Sequence, residues 1–256
     1  MRNKKIILLA GAGNSTNVVF NSLDKKFGIH LAIIEDKESR RIFLKRRIKR
    51  LGIFTVAGQI AFQILIATPL GFFSKKRIAQ VMADSNSDTT DIPSGKLRKV
   101  DSINGVTAFN LIKELNPDLI IVNGTRIISK NILNAVPCKF INTHAGITPK
   151  YRGVHGTYWA LVNDDIENSG VTVHFVDTGI DTGNIIAQAN VIPSPRDNFS
   201  TYPALQLSAG IKLLVKAIED YFKNDIETKK NDGVSRLWYH PTLFQYIYNR
   251  VVKKVK

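Results

Sequence analysis

The chain is poor in several features that would have directed it to other classes. Among 256 residues there is one cysteine, Cys138. That excludes an internal disulfide and a zinc site built on cysteines; a lone Cys beside a strand reads as buried filler. No ligand cluster suggests any other metal. Acidic residues are in deficit, with 21 Asp and Glu against 36 Lys and Arg, a net charge of +15. Such an imbalance suits an anionic partner, whether nucleic acid, a nucleotide or an acidic membrane surface, without choosing among them. A secretory signal is also lacking: Met1-Arg-Asn-Lys-Lys5 leads into a short apolar run and then glycines, which reads as a first strand. The expected compartment is the cytoplasm. A hydrophobic fraction of 44% is ordinary for a protein with a true core.

The first half has an α/β rhythm. Lys5 to Ala10 reads as a buried strand, Gly11 to Asn17 as a turn into a helix from about Val18, and Ile29 to Ile34 as a second strand ended by Glu35-Asp36. This βαβ unit predicts a Rossmann-like, mostly parallel sheet with helices on both faces. A Gly-rich turn at a helix N-terminus presents free N–H groups to anions, so Gly13, Ser15, Thr16 and Asn17 are candidate phosphate contacts. A dinucleotide fingerprint is broken there: Gly11-x-Gly13 stands roughly 20 residues before Glu35, but Thr16 occupies the third glycine position. Further on, Asp101 to Leu115 reads as a helix capped by Asp101 or Ser102 and stopped by Pro117. Asp118 to Val122 is then a buried strand that ends in Asn123-Gly124-Thr125-Arg126. Thr157 to Asn163 and Leu205 to Phe222 read as helices.

Three polar residues stand out against this frame. If Phe140 to His144 is a strand, its period of two puts Asn142 and His144 on one face. Asp181 follows in the loop Asp177-Thr-Gly-Ile-Asp181-Thr-Gly183, after the alternating run Val171 to Val176. An amide can hold a developing oxyanion, an imidazole can move a proton, and a carboxylate can orient that ring and raise its pKa. None need be a nucleophile, which suits acyl transfer to an amine carrying its own lone pair. The competing reading of the Asn and His is a pair of structural polar groups at a strand end.

The ordered run Asn142-Thr-His144-Ala-Gly-Ile-Thr-Pro149-Lys-Tyr-Arg152-Gly153, then Gly170-Val-Thr-Val-His174-Phe-Val-Asp177-Thr-Gly-Ile-Asp181-Thr-Gly183, resembles the N10-formyltetrahydrofolate-dependent formyltransferases. Glycinamide ribonucleotide transformylase, methionyl-tRNA formyltransferase and the sugar N-formyltransferases belong there. A weaker likeness runs from residue 3 to about 222. One departure is Ala145-Gly146-Ile147-Thr148, where the family often has Ser-Leu-Leu. The resemblance implies a formyltransferase fold over 1–225; 37–100 interrupts it as an insertion and connector, and 226–256 follows as a C-terminal extension. It implies Asn142, His144 and Asp181 as catalytic residues, with His144 kept as an imidazolium by Asp181. His174 is open between catalytic support and a cross-strand hydrogen bond. Asn123, Gly124, Thr125, Arg126, Ile127 and Asp177 would receive the folate, and Arg152 would join the substrate contacts of the first turn. N10-formyltetrahydrofolate is the expected co-substrate, with no metal. The expected acceptor is a primary amine, most like that of a nucleotide-linked amino sugar in surface-polysaccharide synthesis. The alternatives are glycinamide ribonucleotide or another small amine, a methionyl-tRNA, or a non-catalytic membrane-associated binding role. Nucleic acid is disfavoured because the residues after Phe222 are too few for the usual C-terminal barrel. A monomer or homodimer is expected.

Residues 37–77 do not follow from the resemblance. Lys37 to Arg50 contains eight Lys or Arg against the single Glu38, Leu51 to Ser74 contains no charge, and Lys75-Lys76-Arg77 closes the segment. A spanning helix is permitted by length, yet glycines, glutamines and Pro69 interrupt it, and both flanks are positive. The other readings are a monotopic surface on anionic lipid, and a helical insertion packed on the domain as a subunit contact or cleft wall. Asp84 to Pro93 reads as a polar, flexible connector.

Overall fold

A computed structural model describes residues 4–256; residues 1–3, the start of the run weighed as a leader, lie outside the described residues. The chain opens as β1 (Ile6–Gly11), α1 (Asn14–Phe27) and β2 (Ile29–Glu35). The helical insertion α2 (Arg40–Leu51), α3 (Ile53–Phe62), α4 (Thr68–Phe73) and α5 (Lys75–Asp84) follows. Next come β3 (Leu97–Val100), α6 (Val106–Leu115), β4 (Leu119–Asn123), α7 (Lys130–Leu133) and β5 (Lys139–His144). The second half holds β6 (Arg152–Gly153), α8 (Gly156–Val162), β7 (Gly170–Phe175), β8 (Ile185–Asn190), α9 (Tyr202–Lys223), β9 (Leu237–Trp238) and α10 (Leu243–Val251).

Seven strands form one sheet in the order β3-β2-β1-β4-β5-β7-β8, parallel from β3 to β5 and antiparallel for the last two pairings. The expected mostly parallel α/β sheet is thus present. Central parallel strands are covered on both faces, and Ile6 to Ala10 of β1 is fully buried, as that position demands. Alternation sends Ile6, Leu8 and Ala10 toward α1 and α9, and Ile7 and Leu9 toward α6 and α7. The chain winds outward from β1 to β2 and β3, then returns on the other side of β1 with β4. That reversal leaves a crevice beyond the carboxyl ends of β1 and β4.

Local boundaries differ from the sequence reading where tertiary contacts intervene. α6 begins at Val106, not Asp101, because Ile103 is drawn fully into the core with its N–H on the Glu35 carboxylate at 3.0 Å. The residues before Val106 therefore turn instead of coiling. α1 starts at Asn14, one turn earlier than expected. The connector is tied down: Asn21 Nδ2 donates to Thr90 O at 2.8 Å, Asn17 Nδ2 donates to Asp91 Oδ1 at 3.0 Å, and Ile92 is buried.

α3, a π-helical turn at Gln63–Ala67 and α4 form one apolar rod. Its inner face buries Val56, Gln59 and Phe62, and Phe62 packs into a cluster that includes Tyr151, Tyr158, Phe199, Tyr202 and Tyr246. Gln59 Nε2 donates to His240 O at 2.7 Å and its Oε1 accepts from Arg47 Nε at 2.9 Å. These contacts lay the rod along the body, and a bilayer-spanning rod would have to abandon them. Its described residues are not among those that line the central cavity. The segment after α9 returns to the same body, with β9 paired to β6 and α10 packed beside α3.

Candidate active site

β5 carries Asn142 and His144 on the face away from Ile141, which packs toward α9. Antiparallel pairing puts His174 of β7 directly opposite Asn142, and Thr172 opposite His144. Side chains opposite each other on one face are in reach, and Asn142 Nδ2 lies 3.2 Å from His174 Nε2. His174 Nδ1 lies 2.7 Å from Phe175 O. A carbonyl only accepts, so Nδ1 carries the proton and, in the neutral ring, Nε2 accepts from Asn142. The bond fixes the amide with one Nδ2 proton unused.

Asp181 reaches the same spot from the β7–β8 loop. It holds a left-handed backbone (φ 53°), which Asp tolerates better than most residues. Gly153 N–H donates to Asp181 Oδ2 at 3.1 Å, Asn231 Nδ2 donates to Asp181 O at 2.9 Å, and Arg152 Nη1 donates to Ile180 O at 2.8 Å. Asp181 Oδ2 is 3.3 Å from His144 Nδ1, and Oδ1 is 3.7 Å from His174 Nε2. Burial raises the Asp181 pKa, but the two imidazoles and the Gly153 N–H outweigh it and bring it down to about 2. The carboxylate is ionised at neutral pH.

His144 is buried, with Nε2 donating to Tyr151 O at 2.8 Å. Burial lowers its pKa below the ordinary histidine value, more than Asp181 and the Tyr151 carbonyl raise it. Burial thus opposes the imidazolium form, while the Asp181 carboxylate and the Tyr151 carbonyl favour it. Desolvation makes His144 a ring that gives up its proton readily, although both nitrogens face acceptors. The tight bend after it depends on glycine: a Cβ on Gly146 would strike Tyr151 O and the His144 ring, and one on Gly156 would strike the Gly146 backbone.

These groups line a cavity of ≈ 350 Å³, within the range of small-molecule sites. Its opposite wall is the β4 exit, Gly124 to Ile128, with Val122 and Val176 as apolar lining and Asp177 on the rim. The wall is held from behind by Glu35, buried at the end of β2, whose carboxylate accepts the Arg126 N–H at 2.6 Å and the Ile103 N–H at 3.0 Å. The Arg126 guanidinium pairs with Glu35 and donates to Asp36 O, which ties the half-buried side chain back toward β2. Asp177 Oδ1 accepts from Gly179 N and Thr182 Oγ1, forming the loop that carries Asp181.

Not every expected contact is gathered. Thr16 is buried, donating to Gly11 O at 2.6 Å and accepting from Asn123 Nδ2 at 3.0 Å, so both side chains are engaged with each other. Asn17 is taken by Asp91, which leaves Gly13 and Ser15 at the turn. Neither that turn nor Arg152 lines the cavity; Arg152 bridges Ser235 and Ile180 and fastens the Asp181 loop. Sequence reasoning missed Glu35 as the wall's anchor, and Asn231, which no local pattern marks. Also unmarked are His155 and His240, Nε2 to Nδ1 at 2.9 Å beside the cavity loop. Burial lowers their pKa values to about 3 and about 4, helped at His155 by His240 and at both by Arg47. Among the described residues no group of three His, Cys, Asp or Glu is arranged to hold a metal.

Comparison with known proteins bears on the fold and the family. A 117-residue stretch is 38% identical to the methionyl-tRNA formyltransferase of Desulfotalea psychrophila, covering 45% of this chain and 36% of that protein. The chain thus spans well under half the length of that curated relative. Phosphoribosylglycinamide formyltransferase from Streptococcus pneumoniae TIGR4 shares the fold, with a TM-score of 0.54 at 21% identity, over 86% of this chain and 99% of that one. WlaRD, a sugar 3N-formyl transferase solved in the presence of dTDP and 5-N-formyl-THF, superposes with a TM-score of 0.53 at 19% identity, over 92% of this chain and 70% of that one. The formyl transferase family model matches residues 74–218, more than half of the sequence and every strand from β3 to β8, and the chain belongs to the formyl transferase family.

Proposed function

We propose that this protein transfers a formyl group from N10-formyltetrahydrofolate to a primary amine. The observation that carries the reading is the meeting of Asn142, His144, His174 and Asp181 in one cavity, with the Asp181–His144 contact at 3.3 Å. The fit to a folate rests on the opposite wall, where main chain at the β4 exit stands beside apolar Val122 and Val176. The donor supplies the electrophilic formyl carbon and the N10 leaving group. Asn142 uses its free Nδ2 proton to stabilise the oxygen on which negative charge develops, a contact strongest in the transition state. The amine attacks unprotonated at nitrogen, and the proton it then sheds passes to the Asp181–His144 pair. That pair returns a proton to N10 as the C–N10 bond breaks. His144 suits this work because burial makes its proton easy to release, while Asp181 keeps a carboxylate ready to share it. His174 acts as a positioning residue that orients the Asn142 amide.

The reading takes residues 1–225 as the catalytic unit, 37–100 as its insertion and 226–256 as an extension that steadies Asp181 through Asn231. For the acceptor we favour the amino group of a nucleotide-linked sugar. Gly13 and Ser15, at the start of α1 beside the crevice, leave unengaged N–H groups for a phosphate. The test is release of tetrahydrofolate with a panel of nucleotide-linked 3- and 4-amino sugars, glycinamide ribonucleotide and methionyl-tRNA. Turnover confined to an amino sugar supports the assignment. Turnover with glycinamide ribonucleotide or methionyl-tRNA alone moves the acceptor, and no turnover with any amine rejects it.

A further inference from the structure

We propose that the outer face of the helical insertion, together with α10, docks this protein on an anionic lipid bilayer as a monotopic surface. The proposal is independent of the formyl-transfer reading. No charged residue occurs from Leu51 to Ser74, and Ile53–Phe73 is long and apolar enough to cross a membrane, yet only 22% of its apolar window is buried. Its inner face is engaged by the body; its outer face leaves Phe54 90% and Phe73 80% exposed, with Ile64 and Leu65 between them. A helix that faces water carries polar side chains on that side. α10 extends the surface: Gly58 lies against Thr242 and Phe62 against Tyr246, so the two helices run side by side, and α10 exposes Phe244, Tyr248 and Val251.

Charge identifies the occupant. α2, packed on α3, carries seven Lys or Arg in twelve residues and buries none of them. Only Arg46 has an acidic partner among the described residues of that helix, Glu38 at 2.9 Å. Lys75 and Lys76 stand exposed beyond the other end of the rod. An apolar rod bordered by unpaired cations matches hydrocarbon beneath an anionic headgroup layer. A second copy of the chain fits less well, since a two-fold interface sets a patch against itself and would bring cations toward cations. Nucleic acid would use α2 but leave Phe54, Leu65 and Phe73 facing phosphates. The same segment is linked to the cavity: Arg47 bonds Gln59, Gln59 bonds His240, His240 bonds His155, and Val154 is in the cavity lining. Docking would hold the bilayer beside the loop that frames the site.

Vesicle flotation of the full chain tests this. Partition onto phosphatidylcholine vesicles containing about 30% phosphatidylglycerol should exceed partition onto pure phosphatidylcholine by about tenfold or more, and should weaken as salt rises. Phe54→Asp with Phe73→Asp, and separately Arg40→Glu with Arg41→Glu and Lys45→Glu, should each lower it by about tenfold. All five side chains lie outside the core, so circular dichroism should be unchanged. Equal partition onto both vesicles, or variants that partition like the wild type, would overturn the proposal. So would a dimer that Phe54→Asp dissociates in the absence of vesicle binding, or retention of RNA in place of lipid.

Discussion

Replacing Asp181 with Asn keeps the shape of the side chain and removes its charge, which isolates one group in the cluster. In the folded protein the carboxyl sits at about 2 instead of its ordinary 3.8. At about 1.4 kcal/mol per pKa unit, that difference is worth about 2–3 kcal/mol of stability. The sign follows from the direction of the change. A carboxyl depressed on folding stabilises the native state above its unfolded pKa, and the contribution is lost as pH falls from about 4 through about 2. His144, also depressed, acts in the same sense from a higher pH: its contribution is full above the ordinary histidine range and declines as acid forces a proton onto the buried ring. Urea unfolding of wild type and Asp181→Asn at pH 7, 4 and 2 should therefore give a gap of about 2–3 kcal/mol at neutral pH that closes toward pH 2. Asp197, held low by its bonds to Arg77 and Ser194, titrates in both proteins and cancels in the difference. The variant should also lower the rate of formyl transfer by about 10² or more, through loss of the proton acceptor. A stability gap that stays constant from pH 7 to pH 2 would refute the reasoning.

Glu35→Gln should cost about 1–3 kcal/mol, because an amide has only one oxygen for the two backbone N–H groups, of Ile103 and Arg126, that the carboxylate accepts; urea unfolding reads the loss, and a raised KM for the formyl donor reads the displaced cavity wall. Gly146→Ala should destabilise by about 1–3 kcal/mol through overpacking against Tyr151 O and His144, seen as a lower Tm and disproved by a Tm equal to wild type. Phe62→Ala, at a fully buried position beneath the rod, should lose about 3–5 kcal/mol. Phe54→Ala, on the exposed side of the same rod, should stay within about 0.5 kcal/mol. Equal losses at the two phenylalanines, measured by thermal unfolding, would contradict the one-sided packing.

The sheet was readable because period-two alternation and unbroken apolar runs are local signals. Ile6 to Ala10 and Leu119 to Val122 announce buried strands with no knowledge of their neighbours, and the period of two correctly paired Asn142 with His144 on one face. The start of α6 was not readable, since Ile103 is pulled inward by a carboxylate 68 positions earlier in the chain. The same holds for Asn231 and Asp181, joined across the β7–β8 loop and the C-terminal segment by a fold that the motif does not contain. His144 shows a further limit. Its partner could be guessed, but the direction of its pKa depends on how completely the ring is desolvated, a property of packing and not of spacing. Thr16 and Asn17 lie at a turn of the right kind for phosphate, yet Asn123 and Asp91 reach them first.

The most direct test of the central claim is the rate of tetrahydrofolate release from N10-formyltetrahydrofolate with the active amine, compared between wild type and Asn142→Ala at saturating substrates. The account expects kcat to fall on the order of 10² to 10³, the cost of losing one preorganised oxyanion donor, with little change in KM. Equal rates in the two proteins would contradict it.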